Sequence, residues 1–130
     1  MAVSFTIKCP PNLSNQRGHW SVRARIGKEV RREVWAVLHE TKQHPTAHDQ
    51  YTLAKEPVKK LVTFTRYFGG RTREMDWDGV ASATKPVLDA LKLGDKGVGL
   101  IYDDAPKWCA VTWDQKKDKD KAGTLEVTVQ

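Results

Sequence analysis

The chain has 130 residues, of which 39% are hydrophobic and 29% charged, a composition that fits one ordinary globular domain. No apolar run approaches the ~20 residues of a membrane-spanning helix, and the N-terminus lacks a signal-peptide pattern, so we expect a cytoplasmic protein. The formal net charge is +6, and all arginines precede residue 74. The first part of the chain therefore suits phosphate groups, although an ordinary solvated basic surface has the same composition.

The first elements predicted along the chain are a strand, a loop and a long helix. "VSFTIK" (residues 3–8) alternates apolar and polar residues as a strand does, and "CPPNLSNQRGHW" has the Pro, Asn and Gly content of a loop. From about residue 21 to residue 44, apolar residues recur at helical spacing. The residues of this stripe are Ile26, Val30, Val34 and Val37. Arg31 and Arg32 lie off the stripe, so we expect them to face solvent or a ligand.

The middle of the chain contains the next strand and an arginine-rich turn. Residues 45–57 are polar and predicted to be irregular, whereas "VKKLVTFTRYF" (residues 58–68) is rich in β-branched and aromatic residues and predicts a strand. "GGRTRE" predicts a turn carrying Arg71 and Arg73. A second helix is predicted for roughly residues 83–93.

The start of that second helix depends on a proline. Pro86 suits a first helical turn, where its missing N–H is not needed, so we expect the helix to begin near Thr84 as N-cap. "KWCAVTWDQ" and "TLEVTVQ" then predict two strands joined by a charged loop as an antiparallel hairpin. The prediction is one α+β domain over residues 1–130, β-α-β-α-β-β, with a mixed sheet packed by two helices.

Two aspartate pairs are the strongest candidates for chemistry. Asp76 and Asp78 flank a tryptophan, and Asp103 and Asp104 are adjacent. Carboxylates brought together repel each other, and a divalent cation such as Mg²⁺ or Mn²⁺ relieves that repulsion and binds phosphate oxygens. Two separate acidic turns, with Asp78 capping one of them, are the alternative.

One lysine and several ring-bearing residues complete the candidates. Lys85 near carboxylates and a metal could orient water, stabilise developing charge or protonate a leaving oxygen, or it could only pair with Asp89 at i+4. The histidines at 39, 44 and 48 match no zinc spacing and are expected at the surface. Trp35 lies off the apolar stripe of the first helix. One or two of the tryptophans could stack on bases or form a dimer contact.

Two cysteines and a loop add little by themselves. Cys9 and Cys109 lack metal-ligand spacing, so we expect reduced, buried or half-buried thiols. The "PPNLSNQRGHW" loop contains Arg17 and His19, which could contact a DNA backbone. A turn stabilised by asparagine side chains explains the same loop composition without a ligand.

Taken together, these residues resemble the RusA family of Holliday junction resolvases, small endonucleases widespread in bacteriophages and prophages. The resemblance covers nearly the whole chain. It is carried by "CPPNLSNQRGHW", "PVKKLVTF", "RTREMDWDG", "KPVLDAL", "YDDAPKW" and the closing "GTLEVTV", in this order. The set is fairly specific, although no single element is.

The resemblance implies a Mg²⁺-dependent endodeoxyribonuclease, with Mn²⁺ as a substitute, that cuts four-way DNA by paired nicks in recombination and repair. It implies that Asp76, Asp78 and Asp104, with Asp103 beside them, bind the metal, and that Lys85 is needed for cleavage. It also implies a homodimer, without membrane association, in the cytoplasm of a bacterial host. The arginines that we expect on the DNA backbone are Arg17, Arg31, Arg32, Arg71 and Arg73.

The chain departs from the family pattern at two places. Gly79 stands where the family usually has Asn, so a side-chain amide that could orient a ligand or cap a helix is lost. The lysine is also further from the Asp-x-Asp than in compact members, because "VASAT" intervenes. Lys85 is therefore assigned from its alignment with "DAL" rather than from its distance to Asp78.

Two other functions remain open at the level of sequence. "DWDG" matches the Asp-x-Asp-Gly of haloacid-dehalogenase-like phosphatases, but their motif ends an apolar strand, and here it follows the charged "GGRTREM". A non-catalytic DNA-binding module of the same fold is the second alternative, and Gly79 favours it. Clustered carboxylates argue against it, because a pure DNA binder gains nothing from acids near phosphate.

Overall fold

The structure is a computed structural model that describes residues 2–12 and 20–130. Arg17 and His19, two of the residues proposed to contact DNA, lie outside the described residues. The elements in chain order are β1 (Val3–Lys8), α1 (Trp20–Glu40), α2 (Ala47–Lys55), β2 (Lys60–Phe68), α3 (Trp77–Leu91), β3 (Cys109–Lys117) and β4 (Thr124–Val129). The prediction of a single α+β domain with a mixed sheet is confirmed.

The sheet has the strand order β1-β4-β2-β3. β4 is antiparallel to both neighbours, pairing Phe5 with Val127 on one side and Phe64 with Val127 on the other. β2 and β3 are parallel and are connected through α3. The predicted hairpin of the last two strands is therefore wrong, because β2 lies between them. Six residues link β3 to β4 and cross the end of β2. There the backbone N–H of Asp118 donates a hydrogen bond to the Phe68 carbonyl (2.8 Å).

The core lies between one face of the sheet and the helices α1 and α3. The apolar stripe predicted for α1 is confirmed in outline, since Val30 and Val34 are buried, and Leu38 completes the stripe. Alternation along β2 places Val62 and Phe64 on the same side as these helical residues. The opposite face of the sheet is polar, with hydroxyl pairs such as Ser4–Thr128 and Thr63–Thr112.

α2 lies in a segment that was predicted to be irregular. It begins with a capping box. The Thr46 hydroxyl accepts a hydrogen bond from the backbone N–H of Asp49, and the Asp49 carboxylate accepts one from the Thr46 N–H (both 3.0 Å). This Thr-x-x-Asp pattern is a helix-start signal that the sequence contains. The polar composition of the segment nevertheless predicted irregular structure. The segment is polar because Leu53 is the only residue of α2 that is buried.

α3 begins much earlier than predicted. Its N-cap is Asp76, and Thr84 lies inside the helix, where its hydroxyl donates to the Val80 carbonyl (3.0 Å) and accepts from Trp113 Nε1 (2.9 Å). Pro86 is an interior residue of this helix, not a first-turn residue. It removes one backbone donor and is tolerated because packing of the buried face outweighs one lost hydrogen bond. Among the described helices, none is both long and apolar enough to cross a membrane.

Candidate functional site

The first aspartate pair lies at the N-terminal end of α3. Asp76 caps the helix, and its Oδ1 accepts a hydrogen bond from the Gly79 backbone N–H (2.7 Å). Asp78 is exposed in the first turn, where the helix dipole stabilises a negative charge. One of the two side chains thus caps the helix and the other lies in its first turn. Asp76 is partly committed to the helix, and Asp78 is open to solvent.

Gly79 is required by the packing around this cap. A Cβ at position 79 would lie 2.6 Å from Asp76 Oδ1 and 2.7 Å from both Asn12 Nδ2 and Met75 Cγ. The side-chain amide of Asn12 thus lies beside Gly79.

The second aspartate pair lies near the other end of α3. The chain after the helix folds back on it, since Leu100 and Ile101 both donate to the Leu91 carbonyl (2.9 and 3.1 Å). Tyr102 and Trp108 then pack edge to face at 5.1 Å and close the loop that carries both aspartates. The backbone of this loop therefore fixes Asp103 and Asp104 beside the C-terminal half of α3.

Four charged side chains form a network at this end. Lys85 contacts the Asp104 carboxylate, and its Nζ lies 3.2 Å from Asp89 Oδ1. Lys92 lies 3.2 Å from the same Asp89 oxygen and 3.5 Å from Asp104 Oδ1. The structure thus brings Lys85 to Asp104, a contact across 19 residues. It also contains the Lys85–Asp89 pair that was the alternative explanation of this lysine, and the catalytic role of Lys85 stays a prediction.

The network shifts two pKa values in opposite directions. The hydrogen bond from Lys85 lowers the pKa of Asp104 to about 2, and the charges of Lys85 and Lys92 act in the same direction against partial burial. The bond to Asp104 in turn raises the pKa of Lys85 above its ordinary value. Lys85 is therefore a cation, and Asp104 an anion, at neutral pH.

The two aspartate pairs are not brought together. Asp78 and Lys85 are seven residues apart in one helix, which is about 10 Å along its axis at ~1.5 Å per residue. Asp104 contacts Lys85 and Lys92, in and just after the second half of the same helix. Within residues 2–12 and 20–130, no three His, Cys, Asp or Glu side chains are grouped to hold a metal. The predicted four-aspartate cluster is absent from this arrangement.

The two carboxylates at the N-terminal end of α3 nevertheless fit a Mg²⁺ site that has few protein ligands. Mg²⁺ in proteins often takes one or two carboxylates and completes its shell with water and substrate phosphate. Asp76 retains one oxygen that the cap does not use, and Asp78 is exposed beside it. These two carboxylates fit that type of site better than Asp104, whose oxygens contact Lys85 and Lys92.

A basic cleft adjoins the charged network, between α1 and α3. It has a volume of about 310 Å³. Its lining residues are Arg23, Gly27, Arg31, Ser82, Lys85, Pro86 and Asp89. Three cations and one carboxylate give the walls a net positive charge, and the small residues leave the space open. Lys85 and Asp89 belong to both the cleft and the network, so an anion in the cleft would meet the Lys85 ammonium group beside two carboxylates.

The other predicted DNA-contact arginines are spread over two surfaces. Arg31 lines the cleft, whereas Arg32 is exposed on α1. Arg71 and Arg73 are exposed in the segment between β2 and α3, on the approach to Asp76. The structure thus puts some of these arginines near each end of α3.

Arg66 is a buried arginine that supports the segment leading into Asp76, and the sequence did not single it out. It is only 8% exposed, and its guanidinium donates to the carbonyl of Arg73 (2.9 Å) and to Gln115 Oε1 (3.0 Å). Gln115 also binds the backbone of Met75 on both sides, accepting from its N–H and donating to its carbonyl. This pair holds the segment that leads into Asp76. The alternation of residues along β2 was the sequence feature that indicates its burial, because it places Arg66 on the core face with Phe64.

Comparisons with protein-family models, curated proteins and solved structures give no match for this chain.

Proposed function

We propose that this protein is a Mg²⁺-dependent, structure-selective endodeoxyribonuclease that resolves four-way DNA junctions by paired nicks. The observation that carries the proposal is the position of Lys85, which contacts Asp104 and also lines a basic cleft of about 310 Å³. A cleft with arginine walls accepts a phosphodiester, and a lysine at its edge can act on that phosphate. We choose this reaction because the order of motifs along the chain resembles that of the RusA family.

The side chains of this site have separate roles in the proposal. Arg31 and Arg23 bind the backbone phosphate through their guanidinium groups, because planar donors match phosphate oxygens in pairs. Lys85 stabilises the charge that develops on the phosphate or on the leaving oxygen. Asp104 and Asp89 hold the ammonium group in place and keep it charged. Burial is partial, so Lys85 remains accessible to a substrate.

Asp76 and Asp78 are the residues that would hold the metal, whereas Asp104 holds Lys85 near the other end of α3. A Mg²⁺ ion held there would supply charge to polarise the scissile phosphate and to lower the pKa of a water molecule. Substrate phosphate would complete the ligand set, which agrees with the low number of carboxylates at either end of α3.

The proposal includes a homodimer, since paired nicks need two sites related by a symmetry axis, as a four-way junction is itself symmetrical. It also includes a role in recombination and repair of phage or prophage DNA in the bacterial cytoplasm. Arg32, Arg71 and Arg73 are exposed and extend the basic surface beyond the cleft. Arg17 belongs to the same proposal on the basis of sequence.

A non-catalytic DNA-binding module is the second candidate, and one observation favours it. The negative charge of Asp104 is already balanced by Lys85 and Lys92, so this end of the site is stable without a metal. An Asp-x-Asp-Gly phosphatase has less support. Such an enzyme needs its first aspartate at the end of a strand, whereas Asp76 caps a helix and β2 ends eight residues earlier, at Phe68.

The test uses a synthetic four-way junction and a linear duplex of the same arms, each with Mg²⁺ or with EDTA. We expect paired nicks in the junction, with Mg²⁺ only, and a fall of at least about a hundredfold in rate for Asp78→Asn and for Lys85→Gln. Asp114→Asn is the matched control. Asp114 follows Trp113, whose ring contacts α3, so it lies on the opposite face of the sheet, and its loss should leave the rate unchanged.

Each alternative predicts its own result in the same assay. Junction binding without cleavage, in either Mg²⁺ or Mn²⁺, would establish the binding module and exclude the nuclease. Hydrolysis of small phosphomonoesters, lost in Asp76→Asn, would point to the phosphatase. Cleavage that survives both Asp78→Asn and Lys85→Gln would show that the reaction occurs elsewhere on the molecule.

A further inference from the structure

The exposed side of α1 carries a row of basic and aromatic residues. Lys28, Arg32, Trp35 and His39 follow one another at intervals of four, three and four residues, and all four are exposed. Such spacing places them on one face of the helix, opposite to the buried residues Val30, Val34 and Leu38. We refer to Lys28, Arg32, Trp35 and His39 as the α1 stripe.

Three aromatic rings meet at the end of this stripe. Trp35 and His39 have ring centroids 4.1 Å apart, His39 and His44 stack at 4.1 Å, and Trp35 meets the edge of His44 at 6.3 Å. His44 is fixed by a hydrogen bond between its Nδ1 and the Pro45 carbonyl (2.9 Å). Trp35 is 55% exposed although it is supported on one side by these rings. An indole held in this way offers a rigid, open surface.

The charges around these three rings favour a negatively charged partner. Lys28 and Arg32 precede Trp35 on the same face, and Arg31 lies at its edge. The three glutamates of α1, at positions 29, 33 and 40, lie roughly 120 to 160° around the helix from Trp35 at ~100° per residue. Glu33 faces β1, where it accepts a hydrogen bond from the Lys8 backbone N–H (2.7 Å). The surface around Trp35 is thus positive, and Glu29, three residues before Arg32, pairs with Arg25 at 4.0 Å.

We infer that the α1 stripe binds unpaired nucleotides of a DNA strand, with a base stacked on Trp35 and the flanking phosphates held by Lys28 and Arg32. Positive groups beside an open aromatic face are what single-stranded DNA requires, because every base has a π-face and every nucleotide a phosphate. Lys28 and His39 are about 16 Å apart along the helix, which leaves room for several phosphates. The inference depends on the proposed function only in its choice of DNA as the partner, and it does not require cleavage.

The test measures the affinity of the full chain for a labelled 12-nucleotide oligothymidylate and for a 12-base-pair duplex. Trp35→Ala should weaken single-strand binding by about tenfold, since stacking contributes strongly for each base, and should change duplex binding by less than about twofold. Trp35→Phe should retain most of the affinity but lose the quenching of tryptophan fluorescence on binding. Arg32→Gln should reduce the slope of log affinity against log salt by about 0.7 for the single strand.

Tyr51→Ala is the matched control, because Tyr51 is 62% exposed on α2 and also has a nearby lysine, Lys55. It should leave both affinities unchanged. The inference is wrong if Trp35→Ala leaves single-strand affinity unchanged, weakens duplex and single strand equally, or acts no more strongly than Tyr51→Ala. Those outcomes leave junction cleavage untouched, whereas loss of cleavage with intact single-strand binding would count against the proposed function alone. Circular dichroism melting curves confirm that each variant is folded.

Discussion

The two ends of α3 both carry aspartates, yet they are stabilised by different interactions. At the N-terminal end, Asp76 accepts a backbone hydrogen bond from Gly79, and close packing leaves no room for a larger residue there. At the other end, Asp104 and Asp89 are neutralised by Lys85 and Lys92. The first end depends on shape and backbone geometry, and the second depends on charge. Pairs of acids that look alike in sequence thus have different physical environments.

The largest expected effect tests the packing at the first end. Gly79→Ala should lower the free energy of unfolding by about 1–2 kcal/mol, because its Cβ would displace Asp76 Oδ1, Asn12 or Met75, and this cost exceeds the gain in helix propensity. Urea denaturation measures the change.

The matched control for this prediction is Gly27→Ala in α1. A Cβ at position 27 would meet only Arg31 Nη1, at an ordinary 3.5 Å, so this variant should be neutral or stabilised by up to about 1 kcal/mol. If Gly79→Ala were as stable as Gly27→Ala, the cap would not be close-packed and the contrast between the two ends would fail.

A smaller effect tests the charge dependence of the second end. The pKa of Asp104 is lowered from 3.8 to about 2, so its stabilising contribution is present above about pH 4 and is lost as the pH falls towards 2. Asp104→Asn should therefore lower the free energy of unfolding by about 1 kcal/mol at pH 6, a value that allows for the half-exposed partner Lys85. Urea denaturation of both proteins at pH 6, 4 and 3 should show the difference shrinking, and a difference independent of pH would contradict the assignment.

The smallest effect concerns Asp89, which contacts two lysines at 3.2 Å but is nearly half exposed. Asp89→Asn should lower the free energy of unfolding by no more than about 0.5 kcal/mol, and 1 M salt should remove the difference. Glu29→Gln provides the comparison, since the Arg25–Glu29 pair is more exposed and separated by 4.0 Å, and no measurable change is expected. A loss of several kcal/mol in Asp89→Asn would mean that the network is a rigid structural element.

The prediction of local elements succeeded where one face of an element is buried. β1 was predicted with its observed bounds, and the predicted apolar stripe of α1 contains two of its three buried residues, Val30 and Val34, but not Leu38. α2 was missed because it buries almost nothing, although its capping box was visible in the sequence. The start of α3 was misplaced because Pro86 was given more weight than Asp76. A proline usually marks a first turn, but a well-packed helix tolerates one in its interior.

The sequence by itself determined the fold class, the candidate acids and the separation of a basic first part from a more acidic second part. Only the tertiary structure decided which acids meet which lysines. Lys85 and Asp104 are brought together because the chain after α3 folds back on the helix end, a long-range pairing that no local pattern encodes. The same holds for β4, which lies between β1 and β2 although the chain reaches it last. Local periodicity reports which face is buried, whereas neighbours distant in sequence are selected by packing of the whole core.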